Sequence, residues 1–101
     1  MNGRTPVHRL EVLQEGNNPV DLSISNPGEA DEECNVVVIV SWNGGALVAG
    51  DALPGWTVRT ERERAVFRSL RSRLPPGSRR SIGWLRYDHI PAGVQSFLSR
   101  N

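Results

Sequence analysis

Five consecutive β-branched residues, Val36 to Val40, constrain the fold of this chain more than any other feature. A segment that is apolar at every position can bury both faces, which is typical of a central strand covered above and below. We therefore predict a central strand from Asn35 to Trp42. Asn43-Gly44-Gly45 then supplies residues that tolerate positive φ, as tight hairpin turns require. Residues 46–49 would return beside the central strand as its hairpin partner.

Length and composition limit the protein to a small set of classes. The chain has 101 residues, of which 38% are hydrophobic and 23% charged, so it has room for one domain with a modest core. Its apolar runs are far shorter than the roughly 20 residues needed to cross a bilayer. One cysteine excludes an internal disulfide framework, and two histidines argue against a structural zinc site. We expect a cytoplasmic protein with no cofactor, no metal and no membrane partner.

Two further segments predict strands. Val20, Leu22 and Ile24 alternate with polar residues, which indicates a half-buried strand. Residues 7–14 would pair with it across a loop at 15–19, although a short helix at 7–14 is an alternative. Residues 80–90 also read as a strand. Between the second and third strands, the polar and acidic residues 26–34 predict a mobile surface loop.

Two segments predict helices. Thr60-Glu61-Arg62-Glu63 fits a capping box, and Val66, Phe67, Leu70 and Leu74 follow at helical spacing, so we predict a helix over 61–73 that ends at Pro75-Pro76-Gly77. Residues 91–99 predict a short C-terminal helix that begins at a proline. The order β-β-β-β-α-β-α gives an α+β fold, a single domain over residues 1–101. Its mostly antiparallel sheet would carry the long helix on one face.

Charge is distributed unevenly along the chain. Residues 1–55 hold eight acidic residues against two arginines, whereas residues 56–101 hold ten arginines against three acidic residues. All twelve basic residues are arginine, whose planar fork pairs bidentately with carboxylate or phosphate. Biased codon usage in a GC-rich genome is the simpler explanation for the absence of lysine, and selection for forked recognition is the functional one. A third explanation is that the acidic half folds against the basic half.

The predicted helix would gather several arginines on one side. Arg64, Arg68 and Arg71 fall in a narrow stripe opposite the apolar face, and Arg79 and Arg80 follow after the next turn. Such a stripe can bind an acidic surface, or it can be an ordinary solvated face partly neutralised by Glu61. Tryptophan and arginine are enriched at binding hot spots, so Trp56 and Trp84 complete the candidate surface as apolar anchors.

These features predict a small non-enzymatic binding protein, an adaptor, regulator or inhibitor, whose partner is another protein with an acidic surface. Nucleic acid is the alternative partner, with Trp84 and Tyr87 on either side of Arg86 as stacking platforms. Phe67 and Phe97 are assigned to the core. A homodimer that pairs strands at a free sheet edge is a further option.

A small enzyme is the third hypothesis. Cys34 or Asp88 would act with a histidine, either His8 or His89. Asp88 and His89 are adjacent, so on a strand their side chains would face opposite sides and could not pair. No nucleophile-elbow, P-loop or zinc-protease spacing occurs in the sequence, and no catalytic or metal-binding residue is assigned.

Overall fold

The computed structural model describes residues 10–70 and 72–100, which form ten β-strands and no helix. The strands are β1 (Glu11–Glu15), β2 (Val20–Ser25), β3 (Glu32–Cys34), β4 (Val36–Asn43), β5 (Leu47–Ala52), β6 (Trp56–Glu61), β7 (Arg64–Ser69), β8 (Ser72–Leu74), β9 (Arg79–Tyr87) and β10 (Gly93–Arg100). Over this part of the chain no helix is long and apolar enough to cross a membrane.

The strands form three antiparallel sheets. Sheet I has the order β1-β2-β9-β5, sheet II has the order β10-β4-β7-β6, and sheet III is the short pair β3-β8. A register shift between Leu22 and Ser23 marks an irregularity in the pairing of β2 with β9. The protein is therefore an all-β domain, and the predicted α+β fold is wrong.

Sheets I and II share one hydrophobic core. Leu22, Ile24 and Leu85 point inward from sheet I, while Val38 and Phe67 point inward from sheet II, and all five are completely buried or nearly so. A Cβ atom at Gly83 in β9 would lie 2.6 Å from the Cε2 atom of Phe67, so a glycine is required where the two sheets approach each other. This packing leaves one outward face on each sheet.

The segment predicted as a helix over 61–73 is instead the β6–β7 hairpin followed by β8. Ala65, Phe67 and Ser69 are buried in alternation along β7, which is the period of a strand. Glu63 sits in the hairpin turn with a φ of 59°. A capping box contributes about 1 kcal/mol to a helix, whereas β7 fills one side of the apolar central strand β4, and this tertiary gain decides the outcome.

The predicted C-terminal helix over 91–99 is also a strand. β10 pairs with β4 along its whole length, from Gly93 opposite Asn43 to Arg100 opposite Val36. With β7 on the other side, β4 has both of its edges hydrogen-bonded. The predicted central position of this strand is confirmed, but the prediction that it is covered on both faces is not, because Ile39 on its outward face is only half-buried. The two helix predictions are wrong, because the segments concerned form the strands on either side of β4.

The predicted turn at Asn43-Gly44-Gly45 is confirmed, but the predicted pairing of the strand that follows it is wrong. Gly44 and Gly45 have φ values of 71° and 77°, as a tight turn requires. However, β5 does not return beside β4, because both edges of β4 are taken by β7 and β10. Instead the chain crosses to sheet I, where β5 pairs with β9.

The remaining strand predictions are confirmed with small changes in their bounds. β1 and β2 form the predicted antiparallel pair. β9 corresponds to the strand predicted over 80–90. Residues 7–9 lie outside the described part of the chain. The predicted loop over 26–34 is only partly a loop. It ends in β3, and Asn26 and Cys34 at its two ends are buried.

Candidate functional site

Arg64 and Arg68, two members of the predicted arginine stripe, do share one side of the molecule. They lie on β7, where their side chains point outward because the intervening Ala65 and Phe67 point into the core. The surface that carries them is thus a sheet face and not a helix face. Arg71, the third member, lies outside the described residues.

An apolar row crosses this sheet face between the two arginines. Val66 lies directly opposite Ile39 of β4, and Ile39 lies directly opposite Phe97 of β10. The Phe97 side chain is 53% exposed, so its predicted place in the core is wrong. Arg59 of β6 lies on the other side of Val66 and ends the row. We call this outward side of sheet II the arginine face, with Arg59, Arg64, Arg68, Ile39, Val66 and Phe97 as its members.

The acidic residue Glu61 lies beside Arg59 and Arg64 on the arginine face. Its carboxylate accepts hydrogen bonds from Arg64 Nη2 at 2.5 Å and Arg64 Nε at 3.0 Å, and from Arg59 Nη2 at 3.1 Å. The hydrogen bond from Arg64, together with the charges of Arg64 and Arg59, lowers the pKa of Glu61. Exposed ion pairs of this kind contribute little to stability, because water screens them. A partner's carboxylates can therefore replace Glu61 at small cost.

Arg79 and Arg80 do not extend the arginine face, because they begin β9 in sheet I. Arg79 donates from Nε to Ser23 Oγ at 2.9 Å, and its Nη2 pairs with Glu15 at 2.5 Å. Arg80 donates to the backbone oxygen of Arg73 at 3.4 Å, beside sheet III. The two parts of the predicted basic surface are separate.

The two predicted tryptophan anchors lie in different environments. Trp56 is 7% exposed and belongs to the hydrophobic core, so it offers almost no surface to a partner. Trp84 points outward from sheet I and is half-buried, since its neighbours Gly83 and Leu85 point inward. It lies on the opposite side of the domain from Arg64 and Arg68.

The outward side of sheet I carries aspartates on both sides of Trp84, and the exposed Arg86 lies on the same side two residues further along β9. Asp21 of β2 and Asp51 of β5 lie directly opposite Trp84 on its two sides. Both aspartates are exposed, and Glu15 of β1 lies opposite Asp21. We call this surface the acidic face, with Glu15, Asp21, Asp51 and Trp84 as its members. These acidic residues are far apart in the sequence, and sequence analysis did not group them, because no local sequence pattern indicates which strands become neighbours.

Tyr87, predicted to stack on nucleic acid with Trp84, is 3% exposed and faces the core. Its ring packs edge to face on Trp42, with 5.0 Å between ring centroids. Asn18 holds the Tyr87 backbone with two hydrogen bonds of 2.9 Å, one donated by its side-chain amide and one accepted by its side-chain oxygen. Trp84 and Tyr87 therefore point to opposite sides of sheet I and cannot form one stacking platform.

The buried phenol makes the stability of the protein sensitive to alkaline pH. Burial raises the pKa of Tyr87 to about 12, against about 10 for an exposed tyrosine. Because the folded state favours the neutral phenol, stability should be unchanged below pH 10 and should fall between about pH 10 and 12. Tyr87 is the one tyrosine in the sequence, so tyrosinate absorbance reports it directly.

The expected tyrosinate midpoint is about two pH units higher in folded than in urea-unfolded protein. Tyr87→Phe serves as the control variant, since the Tyr87 hydroxyl has no hydrogen-bond partner among the described residues. The variant should be at least as stable as the parent protein. Its stability should not fall between pH 10 and 12 through phenol ionisation, because it has no phenol. A folded-state midpoint near 10 would contradict the buried placement.

The residues of the enzyme hypothesis are only partly brought together. Cys34 precedes β4, whereas Asp88 accepts a hydrogen bond from the Ala46 amide just beyond the other end of β4. The eight residues of β4 span about 25 Å, so Cys34 is far from Asp88 and His89. Burial raises the pKa of the Cys34 thiol, which disfavours a reactive thiolate. His8 lies outside the described residues.

Asp88 and His89 do pair, contrary to the sequence-based expectation. His89 Nδ1 lies 2.9 Å from Asp88 Oδ1, because both residues follow the end of β9, where strand alternation no longer applies. The hydrogen bond from Ala46 is the main cause of the lowered pKa of Asp88. The described residues contain no group of three or more His, Cys, Asp or Glu side chains that could hold a metal ion.

Residues 9–88 match the family model described as a domain of unknown function, DUF8456. The chain belongs to this family. Neither the comparison with curated proteins nor that with solved structures gave a match. The DUF8456 span holds β1 to β9, and with them the three arginines of the arginine face and all members of the acidic face. Phe97 lies on β10, beyond the DUF8456 span.

Proposed function

We propose that this DUF8456 protein is an intracellular binding protein that engages an acidic protein surface through its arginine face. The observation that carries this proposal is the apolar row between Arg64 and Arg68, in which Val66 and Ile39 are half-buried and Phe97 is exposed. A central apolar strip surrounded by polar and charged residues is the arrangement expected of a protein-binding surface. Arginine is the cation best suited to such a site, because it pairs with carboxylates bidentately.

A protein partner is favoured over nucleic acid by the placement of the aromatic residues. Nucleic-acid binding normally combines a basic surface with several stacking platforms. Here Tyr87 is buried, and Trp84 stands between two aspartates that would repel phosphate. Phe97 is the aromatic member of the arginine face, and one ring is a small platform for successive bases.

Three fluorescent probes test the proposal by anisotropy. The first is a peptide in which glutamate alternates with leucine, the second replaces glutamate with lysine, and the third is a single-stranded oligonucleotide of equal charge. We expect the acidic peptide alone to bind. Arg64→Gln/Arg68→Gln and Phe97→Ala should each weaken its binding about tenfold. Arg86→Gln is the matched control, since Arg86 is an exposed strand arginine on the other sheet.

Each result bears on the choice of partner. Weaker binding by the arginine-face variants but not by Arg86→Gln supports the proposal. Tighter binding of the oligonucleotide through the same arginines, with a steep dependence on salt, would replace it with the nucleic-acid alternative. The absence of acidic-peptide binding at low salt would overturn it. Thermal unfolding of every variant should stay within a few degrees of the parent, because the substituted side chains are exposed.

A further inference from the structure

The acidic face contains two carboxylates without a counter-ion among the described residues. Asp21 makes no side-chain ion pair there, and Asp51 Oδ1 accepts its hydrogen bond from the neighbouring Ala52 amide at 2.9 Å. Trp84 lies between them in direct cross-strand register with both. The result is a line of acid, aromatic and acid that runs across the strands of sheet I.

The arginine face contains a line of the opposite kind. Along the outward side of β7, the aliphatic side chain of Val66 lies between the basic side chains of Arg64 and Arg68. Ile39 lies beside Val66 on the neighbouring strand β4. This line runs along a strand and not across strands. The apolar centre of each line is partly exposed, so each has hydrophobic surface left to bury.

The two lines have matching lengths. Cross-strand neighbours lie about 5 Å apart, which places Asp21 and Asp51 about 10 Å apart with Trp84 midway. Residues two apart along a strand lie about 7 Å apart, which places Arg64 and Arg68 about 13 Å apart with Val66 midway. If two sheets stack with their strands near right angles, a known packing mode, the two lines lie parallel. The remaining difference of about 1.5 Å at each end is within the reach of flexible arginine side chains.

We propose that the acidic partner of the arginine face is the acidic face of a second copy of this chain. This inference rests on the proposed function and names its partner. Trp84 would pack on Val66 and Ile39, while Asp21 and Asp51 pair with the two arginines of β7. Because the two faces lie on opposite sides of the domain, the contact is head to tail, and repeating it builds an open string or a ring. A symmetric dimer does not satisfy this charge pattern.

The size of the surface predicts weak, salt-sensitive association. A four-stranded face of about 20 Å by 20 Å is smaller than the roughly 800 Å² per partner of a stable complex. We therefore expect dissociation constants in the range of about 10–100 μM. At about 0.5 M salt the screening length falls below 5 Å, and the association should disappear.

Sedimentation velocity over a series of protein concentrations tests the contact. At about 50 mM salt the average mass of the parent protein should rise with concentration. Arg64→Glu/Arg68→Glu and Asp21→Arg/Asp51→Arg should each be monomeric, because each juxtaposes like charges. An equimolar mixture of the two variants should associate again, since each reversed face then meets a complementary one. Arg73→Glu/Arg80→Glu, which changes the net charge equally at sheet III and the start of β9, should behave as the parent does.

Trp84→Ala separates specific docking from simple attraction between oppositely charged variants. Introduced into both members of the mixture, it should weaken the restored association about tenfold, because the aromatic centre is lost. Restored association that does not depend on Trp84 overturns the contact, as does a dimer that survives both reversals. A parent protein that stays monomeric at low salt while binding the acidic peptide overturns the second copy as partner and leaves the proposed function standing. A parent protein that neither self-associates at low salt nor binds the acidic peptide overturns both proposals.

Discussion

Gly83→Ala should destabilise the protein by about 3 kcal/mol. An added Cβ would lie 2.6 Å from Phe67 Cε2 and closer still to the backbone oxygen of Asp51. Neither group can move away easily, because Phe67 is completely buried between the sheets and Asp51 is held in the pairing of β5 with β9. Urea unfolding followed by tryptophan fluorescence should show a lower midpoint with an unchanged slope.

Gly93→Ala is the matched control, because Gly93 is also a strand glycine. A Cβ there would meet no atom within 4 Å, and its φ is outside the left-handed region. We expect a change in unfolding free energy within about 0.5 kcal/mol, with a small gain from reduced freedom of the unfolded chain. Equal effects at the two positions would show that sheets I and II do not approach closely at Gly83.

Asn26→Ala should lower the unfolding free energy by about 3 kcal/mol. The side chain is completely buried, and its Nδ2 donates to the backbone oxygens of Ala30 and Leu74, both at 2.8 Å. Its Oδ1 accepts a hydrogen bond from the Gly28 amide at 3.0 Å. Asn26 thus joins the acidic loop to β8, and its removal strips partners from three backbone groups. Chemical denaturation of the variant measures the loss.

Asn26→Asp tests the same contacts through their pH dependence. The substitution keeps the size of the side chain but sets a carboxylate against two carbonyl oxygens, which raises its pKa above that of an exposed aspartate. The variant should be strongly destabilised at neutral pH and should regain stability as the pH falls through that raised pKa. Asn17→Asp, at an exposed position, is the control. If the two variants have equal stability at pH 7, the hydrogen bonds of Asn26 do not hold the loop.

The strands with an unambiguous pattern could be read from the sequence, but the β6–β7 hairpin could not. Residues four apart share a face in a helix and also in a strand, so the spacing of Val66, Leu70 and Leu74 does not distinguish the two structures. In the structure these residues share no face, because Val66 points outward, Leu70 is exposed and Leu74 is buried in β8. The capping motif then favoured the helix, although it carries only about 1 kcal/mol. The deciding fact is nonlocal. Because β4 is largely buried, its backbone N–H and C=O groups need hydrogen-bond partners on both edges, and β7 and β10 supply them.

The same ambiguity explains why part of the candidate site was still found. Arg64 and Arg68 are four apart, so they share a face whichever structure forms. Phe97 was assigned to the core because residues 91–99 were predicted to form a helix. In β10, exposed and half-buried residues alternate, and Phe97 is one of the exposed residues. Asp21 and Asp51 are 30 positions apart in the sequence and meet beside Trp84 only through the strand order of sheet I.

The pairing of β4 with β10 also affects how the chain reaches its native state. The two strands meet at Asn43 and Gly93, which are 50 positions apart, so this ladder closes late during synthesis or refolding. Until then the valine-rich strand exposes a row of unpaired backbone groups, and strands of that composition readily recruit like strands from other molecules. A folding intermediate that lacks β10 would be the species most prone to aggregate, and crowded expression conditions would favour insoluble protein before they affect the finished fold.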